Sequence, residues 1–293
     1  MTADGGTRAR PRSILYTPAL SLDRVMKAWR YDADVHLIDL EDSVPPADKP
    51  AAREICRAAL EKAPRPGNVA VRMNALGTLA AIHDVVLFAE APVKPGIVLM
   101  TMVTTAVEVD LLRRTLASAG VRPEIYVTVE TVESIHDIDA IARAADGLVF
   151  GSADLAATLG VDISWESMQA ARQAMAMACA RYDTVCVDTA NYRLSEPEVL
   201  TEETTRVRSL GFHGKATVHP SELAVINRVL GRDADELDHA RRVAAAVAAA
   251  DGGIAVLDGH MVGPPFARRA RDTVAREDAW LSRFGGPGRG GEQ

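Results

Sequence analysis

Cysteines and long apolar runs are both scarce in this sequence, and each scarcity excludes a class of protein. The 293 residues include three cysteines, Cys56, Cys179 and Cys186. Their spacing matches no metal-binding pattern and leaves one thiol unpaired in any disulfide scheme. No apolar run reaches the length of a membrane span, and the first residues lack the apolar core of a signal peptide. We therefore expect a reduced, cytoplasmic protein with no membrane partner.

An excess of positive charge is also missing. The formal net charge is −7, with both signs interspersed, which argues against a nucleic-acid partner. No GxGxxG motif follows the first apolar segment, which disfavours a dinucleotide-binding fold. The hydrophobic fraction of 48% is ordinary for a globular protein and allows a sizeable core.

Eight short apolar segments recur along the chain, with helical patterns between them. Each segment is bounded by Gly, Pro, Asp or a polar cluster, as is typical of buried strands. The alternation predicts an α/β fold, a (β/α)8 TIM barrel, although an open doubly wound sheet would show the same local pattern. The predicted strands are 12–18, 35–41, 69–74, 96–102, 124–130, 146–152, 184–189 and 215–220.

The strand count is complete by residue 220, so the rest of the chain extends a finished barrel. We assign the barrel to 12–230 and a C-terminal helical extension and lid to 231–284. Residues 1–11 and 285–293 are predicted to be flexible termini. Within the extension, the segment VLDGHMVGPPFARRA joins a Gly- and Pro-rich turn to an Arg-rich helix start. Such a lid can pack on its own barrel or on that of a neighbour.

Charged residues stand at the carboxyl ends of the predicted strands, where a TIM barrel carries its chemistry. Buried acids are costly unless they are paired or bound to a metal, so several acids at one mouth predict a hard cation such as Mg²⁺. Glu130 and Asp154, from adjacent strands, form the best ligand pair, and Arg72 is placed to clamp a carboxylate or an enolate oxygen. The polar residues at these ends are Asp39, Glu41, Asp42, Arg72, Asn74, Glu130, Asp154, Asp188 and His219.

Several of these polar residues also have a purely structural interpretation. An acid at a strand end often caps a helix or forms a turn, and we favour that interpretation for Asp42 and Asp188. We expect His36 to pack beneath a helix and His219, which precedes a proline, to be structural. Cys186 lacks a visible arrangement of histidine and acid partners, so it is predicted to lie in the core.

Six motifs together resemble the citrate lyase β-subunit-like (CitE-like) family of the HpcH/HpaI aldolase superfamily, which includes malyl-CoA and citramalyl-CoA lyases. The likeness runs from about residue 12 to residue 280. The resemblance implies a C–C lyase or aldolase that joins or separates a 2-oxo acid and an acyl-thioester enolate. The motifs, in order, are RSILYTP, HLIDLEDSVPPADKPAAR, VAVRMNALGT, VTVETVES, GLVFGSADLAATLG and GFHGKATVHPSEL.

The resemblance also assigns roles to residues of this chain. It implies that Glu130 and Asp154 hold Mg²⁺ and that Arg72 contacts the oxo acid or its enolate. Glu41 and Asp42 would form an acidic pair that supports the site and its waters. Metal and arginine together would stabilise the oxyanion that develops in the reaction.

The loop after the sixth predicted strand receives a binding role from the same resemblance. The backbone amides of Gly151, Ser152 and Ala153 are implied to bind the carboxylate of the oxo acid. The implied partners are therefore a small 2-oxo or hydroxy acid, or an acyl-CoA substrate. The resemblance further implies a homo-oligomer, either a homotrimer or a hexamer.

Two positions depart from the family pattern. Members usually carry a lysine and then a glutamate where this chain has Met102 and Thr104. They often carry a lid aspartate, the acid/base for the acetyl carbon, where this chain has Gly263, and glycine cannot move a proton. Asp258 and His260 lie nearby but not at the matching position. Because a positioned acid or base contributes about 10²–10⁴ in rate, the usual reaction should be slow without a substitute.

These departures leave three functional hypotheses open. The first is a Mg²⁺-dependent C–C lyase or aldolase that acts on a small hydroxy acid or its CoA thioester. The second is a specialised aldolase, condensing enzyme or thioester hydrolase that does not use the lid aspartate. The third is a non-catalytic accessory subunit, which would be expected to have lost the metal site.

Overall fold

Eight parallel strands close into a barrel in the computed structural model, which describes residues 7–193 and 196–285. Each strand pairs with the next one along the chain, and the first pairs with the eighth to close the ring. This closure confirms the predicted (β/α)8 barrel and excludes the open doubly wound sheet. The strands are β1 Ser13–Pro18, β2 Val35–Asp39, β3 Val69–Arg72, β4 Ile97–Met100, β5 Glu124–Val129, β6 Gly147–Phe150, β7 Val185–Asp188 and β8 Gly214–Thr217.

Helices follow the strands and surround the barrel. Their starts are fixed by short polar side chains: Ser21, Thr78 and Ser164 each accept a hydrogen bond from a backbone N–H of the first helical turn, which satisfies donors that the helix itself leaves unpaired. The helices of the barrel are α1 Leu22–Ala28, α2 Lys49–Glu61, α3 Leu79–Glu90, α4 Ala106–Ser118, α5 Val132–His136, α6 Ile138–Ala144, α7 Ser152–Leu159, α8 Trp165–Tyr182, α9 Pro197–Leu210 and α10 Leu223–Leu230.

The main core lies between the strands and the surrounding helices. Outward-facing strand residues such as Ile38, Val71 and Val127 pack with helix residues such as Cys56 and Val109. Because successive side chains of a strand point to opposite faces, the intervening residues face the barrel lumen. This alternation turns Asp39, Arg72 and Glu130 toward one enclosed space, because their neighbours along the strands pack in the outer core.

Asp188 lies in the layer between strands and helices, not in the lumen. Lys215 Nζ donates to Asp188 Oδ2 at 2.6 Å, and Arg172 Nε donates to Asp188 Oδ1 at 2.8 Å. Burial alone would raise the pKa of Asp188, but the two cations hold it below its ordinary value. The predicted structural role is therefore correct, but Asp188 pairs buried cations and is not the cap or turn former that we expected.

Cys186, His36 and His219, which also have a structural interpretation, make contacts outside the candidate site. Cys186 is fully buried in the core. His36 packs edge-on against Trp29, with 5.2 Å between the ring centroids. His219 precedes the 3₁₀ turn Pro220–Glu222, and its Nδ1 lies 2.7 Å from Ser221 Oγ. These contacts explain all three residues as parts of the framework.

A second compact unit contains the described residues of 1–11 and 231–293. Its helices α11 Ala234–Ala249 and α12 Pro264–Phe284 pack with an antiparallel hairpin of β9 Ala255–Leu257 and β10 His260–Val262. The two residues between the strands, Asp258 and Gly259, have φ of 50° and 79°, as a tight hairpin turn requires. The sequence indicated a Gly- and Pro-rich turn here, and the structure shows that the turn joins two short strands, with His260 in the second.

The predicted flexible termini fall largely outside the described residues, which exclude 1–6 and 286–293. None of the helices in residues 7–193 and 196–285 combines the length and the apolar character that a membrane crossing requires.

Candidate active site

Arg72, at the end of β3, is held by two acids from the end of β2. The parallel register sets Arg72 directly opposite Asp39. Arg72 Nε and Nη2 donate to the two carboxylate oxygens of Asp39 at 2.7 and 2.5 Å. Arg72 Nη1 lies 2.9 Å from Glu41 Oε2. This two-pronged pairing fixes the plane of the guanidinium and leaves little freedom for it to turn.

Asp39 is the residue that organises this cluster, and sequence reasoning gave it no role beyond that of a strand-end acid. Besides Arg72, it accepts hydrogen bonds from Ser43 Oγ at 2.5 Å and from the Glu41 backbone N–H at 2.9 Å. Burial would raise the pKa of Asp39, but the hydrogen bonds and charge of Arg72 hold it below its ordinary value. Asp39 is therefore a permanent anion that anchors Arg72.

Glu41 and Asp42 do not share one environment. Glu41 lies beside Arg72, with 13% of its side chain exposed, whereas Asp42 is exposed to solvent. Burial raises the pKa of Glu41 to about 7, with the Asp42 carboxylate adding to the rise and Arg72 opposing it. Of the acidic pair that the family resemblance implies, only Glu41 faces the arginine directly.

Glu130 follows β5 and is 4% exposed. Its Oε1 accepts a hydrogen bond from the Met102 backbone N–H at 2.6 Å. The pKa of Glu130 is raised to about 8, mainly by burial. The Met102 hydrogen bond lowers it, and the nearby charges of Asp154 and Glu41 add to the rise. Among the described residues no basic side chain forms an ion pair with Glu130, and the charge of Arg72 opposes the rise without cancelling it.

Met102 owes its contact with Glu130 to an unusual backbone conformation. It has a φ of 54°, in the left-handed region that residues other than glycine seldom adopt. Its side chain, at the position of the family lysine, is 45% exposed. Thr104, the second departure, donates from both its backbone N–H and its Oγ1 to Glu108 Oε1 at the start of α4. Met102 therefore belongs to the candidate site, and Thr104 to a helix start.

The loop after β6 approaches Glu130 closely because residue 151 is glycine. A Cβ at Gly151 would lie 2.5 Å from the Cβ of Glu130 and 2.9 Å from its Oε2, a clash that forbids any side chain. Ser152 Oγ lies 3.1 Å from Thr189 Oγ1, and both residues are buried. This contact ties the start of α7 to the end of β7.

Asp154 lies in the first turn of α7 and is half-buried, and Ala153 is exposed. The first N–H groups of a helix have no partner within it, so the amides of Ser152 to Asp154 are available to an anion. The structure thus brings Glu130 and Asp154 into electrostatic contact near Arg72 and Glu41.

The donor set fits a magnesium ion that is shared with substrate. Within the described part of the chain, no three His, Cys, Asp or Glu side chains group as a complete metal cage. Mg²⁺ is often held by one or two carboxylates, with water and substrate oxygens filling its other positions. Glu130 forms no ion pair within the described residues, and its ionised form and the neighbouring Asp154 repel each other. A divalent cation held by both carboxylates would remove that repulsion.

The raised pKa values of Glu130 and Glu41 predict a pH-dependent stability of the metal-free protein. The folded state keeps these protons up to about pH 8 and about pH 7, whereas the unfolded chain releases them near pH 4.5. The stabilisation is complete below the unfolded value and is lost as the pH rises through the folded value.

We expect the free energy of unfolding in EDTA to fall by at least about 1 kcal/mol between pH 5 and pH 8, since one pKa unit corresponds to about 1.4 kcal/mol. Urea titrations of wild type and Glu130→Gln at both pH values measure this fall. It should be smaller in the variant, and identical falls would contradict the raised pKa of Glu130.

Comparison with known proteins identifies relatives of this chain. A model of the family described as HpcH/HpaI aldolase/citrate lyase matches residues 12–220. The (3S)-malyl-CoA thioesterase of Cereibacter sphaeroides is 30% identical over 278 residues, which cover 92% of this chain and 95% of the relative. Citrate lyase subunit beta of Escherichia coli K12 is 32% identical over 302 residues, covering 93% and 94%.

Solved structures show the same likeness. The structure of the protein CitE from Mycobacterium tuberculosis in complex with magnesium, acetoacetate and coenzyme A is 28% identical in sequence. The two structures superpose with a TM-score of 0.77, and the match covers 92% of this chain and 98% of the M. tuberculosis chain.

Proposed function

Because the chain belongs to the HpcH/HpaI aldolase/citrate lyase family, we propose that it is a Mg²⁺-dependent carbon–carbon lyase or aldolase. Its substrate would be a small hydroxy acid or the CoA thioester of one, and the reaction would pass through an enolate. The observation that carries this proposal is the pair of Glu130 and Asp154, which form no ion pair with a basic side chain of the described residues, near the fixed guanidinium of Arg72. The magnesium and coenzyme A in the complex of the M. tuberculosis relative support it.

Each residue of the candidate site would have a separate role in such a reaction. Glu130 and Asp154 would hold the Mg²⁺, which when bound supplies Lewis-acid polarisation of a carbonyl oxygen. Arg72, kept in one orientation by Asp39 and Glu41, would direct the N–H groups of Nη1 and Nη2 that these acids do not engage at the substrate oxygen on which negative charge develops. The backbone amides of Ser152 and Ala153 would receive the substrate carboxylate, whereas the implied contact of the Gly151 amide is not possible in this form, because that N–H donates to the Val129 carbonyl at 2.9 Å.

Turnover of candidate thioesters tests the proposal directly. With Mg²⁺ present, the protein should release glyoxylate from malyl-CoA or pyruvate from citramalyl-CoA. Absence of turnover across a wide panel of hydroxy acids and thioesters would count against it. If Mg²⁺ also fails to bind in calorimetry, the non-catalytic accessory role becomes the better interpretation.

Thioester hydrolysis is the second candidate, and Gly263 favours it. The position of the family's lid aspartate has no side chain that could move a proton in carbon–carbon bond cleavage, and the C. sphaeroides relative is a malyl-CoA thioesterase. The products separate the two reactions. Hydrolysis of malyl-CoA yields malate and free CoA, whereas cleavage yields glyoxylate and acetyl-CoA.

Restoring an acid at Gly263 should raise the lyase reaction. Gly263 has an extended backbone, with φ −150°, and an added Cβ would meet only Ile254 Cγ1 at an ordinary 3.7 Å. Aspartate is also a favourable residue at this position, the N-cap of α12. We expect Gly263→Asp to increase release of glyoxylate from malyl-CoA about tenfold, below the full contribution of a well-placed acid or base.

Gly263→Ala is the matched control, since it adds the Cβ without the carboxylate. Equal rates for the alanine and aspartate variants would remove the argument from Gly263. The homotrimeric or hexameric assembly and the cytoplasmic location remain predictions that accompany the proposed function.

A further inference from the structure

Tyr16 presents a phenol to the barrel lumen beside Arg72. Its neighbour on β1, Leu15, packs outward with Ala28 and Leu223, so the alternation of the strand turns Tyr16 inward. The ring centroid of Tyr16 lies 5.5 Å from Arg72 Cζ. A guanidinium over an aromatic face at this distance is held by a favourable cation–π contact. The ring is thereby positioned against a residue of the candidate site.

The hydroxyl of Tyr16 has no hydrogen-bond partner in the part of the protein that the structure describes. It forms no hydrogen bond with any residue in 7–193 or 196–285, and it is not among the buried polar atoms that lack one. The oxygen is therefore not fully enclosed by protein, and the ring below it is half-buried. A tyrosine hydroxyl in a partly enclosed position usually has a hydrogen-bond partner. Since the described residues supply none, the candidate partner is a bound ligand.

The charges around this hydroxyl are those of the candidate site. Burial raises the pKa of Tyr16 above its ordinary value; Arg72 opposes the rise, and Asp39 and Glu130 add to it. The phenol therefore keeps its proton at neutral pH and acts as a donor. Neither Asp39 nor Glu130 accepts that proton in a hydrogen bond, so it stays available.

We propose that Tyr16 is a further substrate-contacting residue, whose hydroxyl donates a hydrogen bond to the substrate oxygen that Arg72 also contacts. This inference rests on the proposed function, because it assigns a second donor to the same oxygen. Arg72 supplies charge from a fixed position on β3, and Tyr16 supplies a neutral donor from β1, on the far side of β2. Donors that are already in place where negative charge develops stabilise the transition state without reorganisation.

Removal of the hydroxyl alone tests the inference. Tyr16→Phe keeps the ring and its contact with Arg72, so stability and Mg²⁺ affinity should match wild type. We expect kcat to fall roughly 10- to 100-fold, at or below the low end for loss of one oxyanion donor, with KM changed less than about threefold. Tyr182→Phe is the matched control, because Tyr182 is also half-buried with its ring 5.2 Å from Arg181 Cζ, but on the outer helix α8.

The outcomes separate this inference from the proposed function. If wild type turns over a thioester and Tyr16→Phe has the same kcat, the role of Tyr16 is wrong and the proposed function stands. If wild type shows neither turnover nor calorimetric binding of pyruvate with Mg²⁺, both are wrong. If wild type binds pyruvate without turnover, an affinity lowered about tenfold in Tyr16→Phe supports the contact, and an equal affinity overturns it.

Discussion

Glu130→Gln should abolish Mg²⁺ binding and lower kcat/KM by about 10³-fold or more. Loss of a metal that polarises the reacting oxygen removes several kcal/mol of transition-state stabilisation, at about 1.4 kcal/mol for each factor of ten. The fold should survive, because burial already favours the uncharged form of this side chain. Glutamine keeps an oxygen that can accept from the Met102 N–H but cannot serve as an anionic ligand. Calorimetric titration with Mg²⁺ and steady-state kinetics measure the two effects.

Glu133→Gln provides the comparison for this variant. Glu133 is three residues away, exposed on α5, so its substitution makes the same chemical change without touching the lumen. It should bind Mg²⁺ and turn over substrate as wild type does. Wild-type Mg²⁺ affinity in Glu130→Gln would show that Glu130 is not a ligand, and equal losses in both variants would point to a general effect of charge.

The strands could be predicted because each combines a short apolar run with a clear boundary. The residue types of the segment 124–130 predict a buried strand, and β5 occupies Glu124–Val129 in agreement. The hairpin of β9 and β10 could not be found in this way. Its strands have three residues each, and Val256 and Met261 are exposed, so no apolar alternation marks them.

The candidate site was predictable as a set of strand-end residues, but its contacts were not. Residue spacing placed Arg72 and Glu130 at one mouth, since the carboxyl ends of the strands meet there. Their partners depend on register: Asp39 faces Arg72 only because β2 and β3 pair as they do. The Met102 N–H reaches Glu130 only because Met102 has a positive φ. A methionine at this position gives no reason to predict that conformation.

Asp39→Asn is the second variant for which we expect a large effect, because it would leave the buried Arg72 guanidinium without its main counter-charge. Asp39 accepts two hydrogen bonds from Arg72 as well as those from Ser43 and the Glu41 backbone. Breaking a buried pair by neutralising one partner costs about 3 kcal/mol or more. The freed guanidinium would also lose its fixed orientation, and a misplaced catalytic group can cost about 10²-fold in rate. Urea unfolding and kinetics well below the transition midpoint measure the two losses.

Asp48→Asn serves as the matched control, since Asp48 is an exposed acid beyond β2 whose side chain caps no helix. It should change neither stability nor rate appreciably. A role for Asp39 in orienting Arg72 requires a fall in kcat that persists when the variant is fully folded. If Asp39→Asn loses stability but keeps wild-type kcat and KM, then Asp39 serves only the fold, and the guanidinium is held in its working position by Glu41 and the ring of Tyr16.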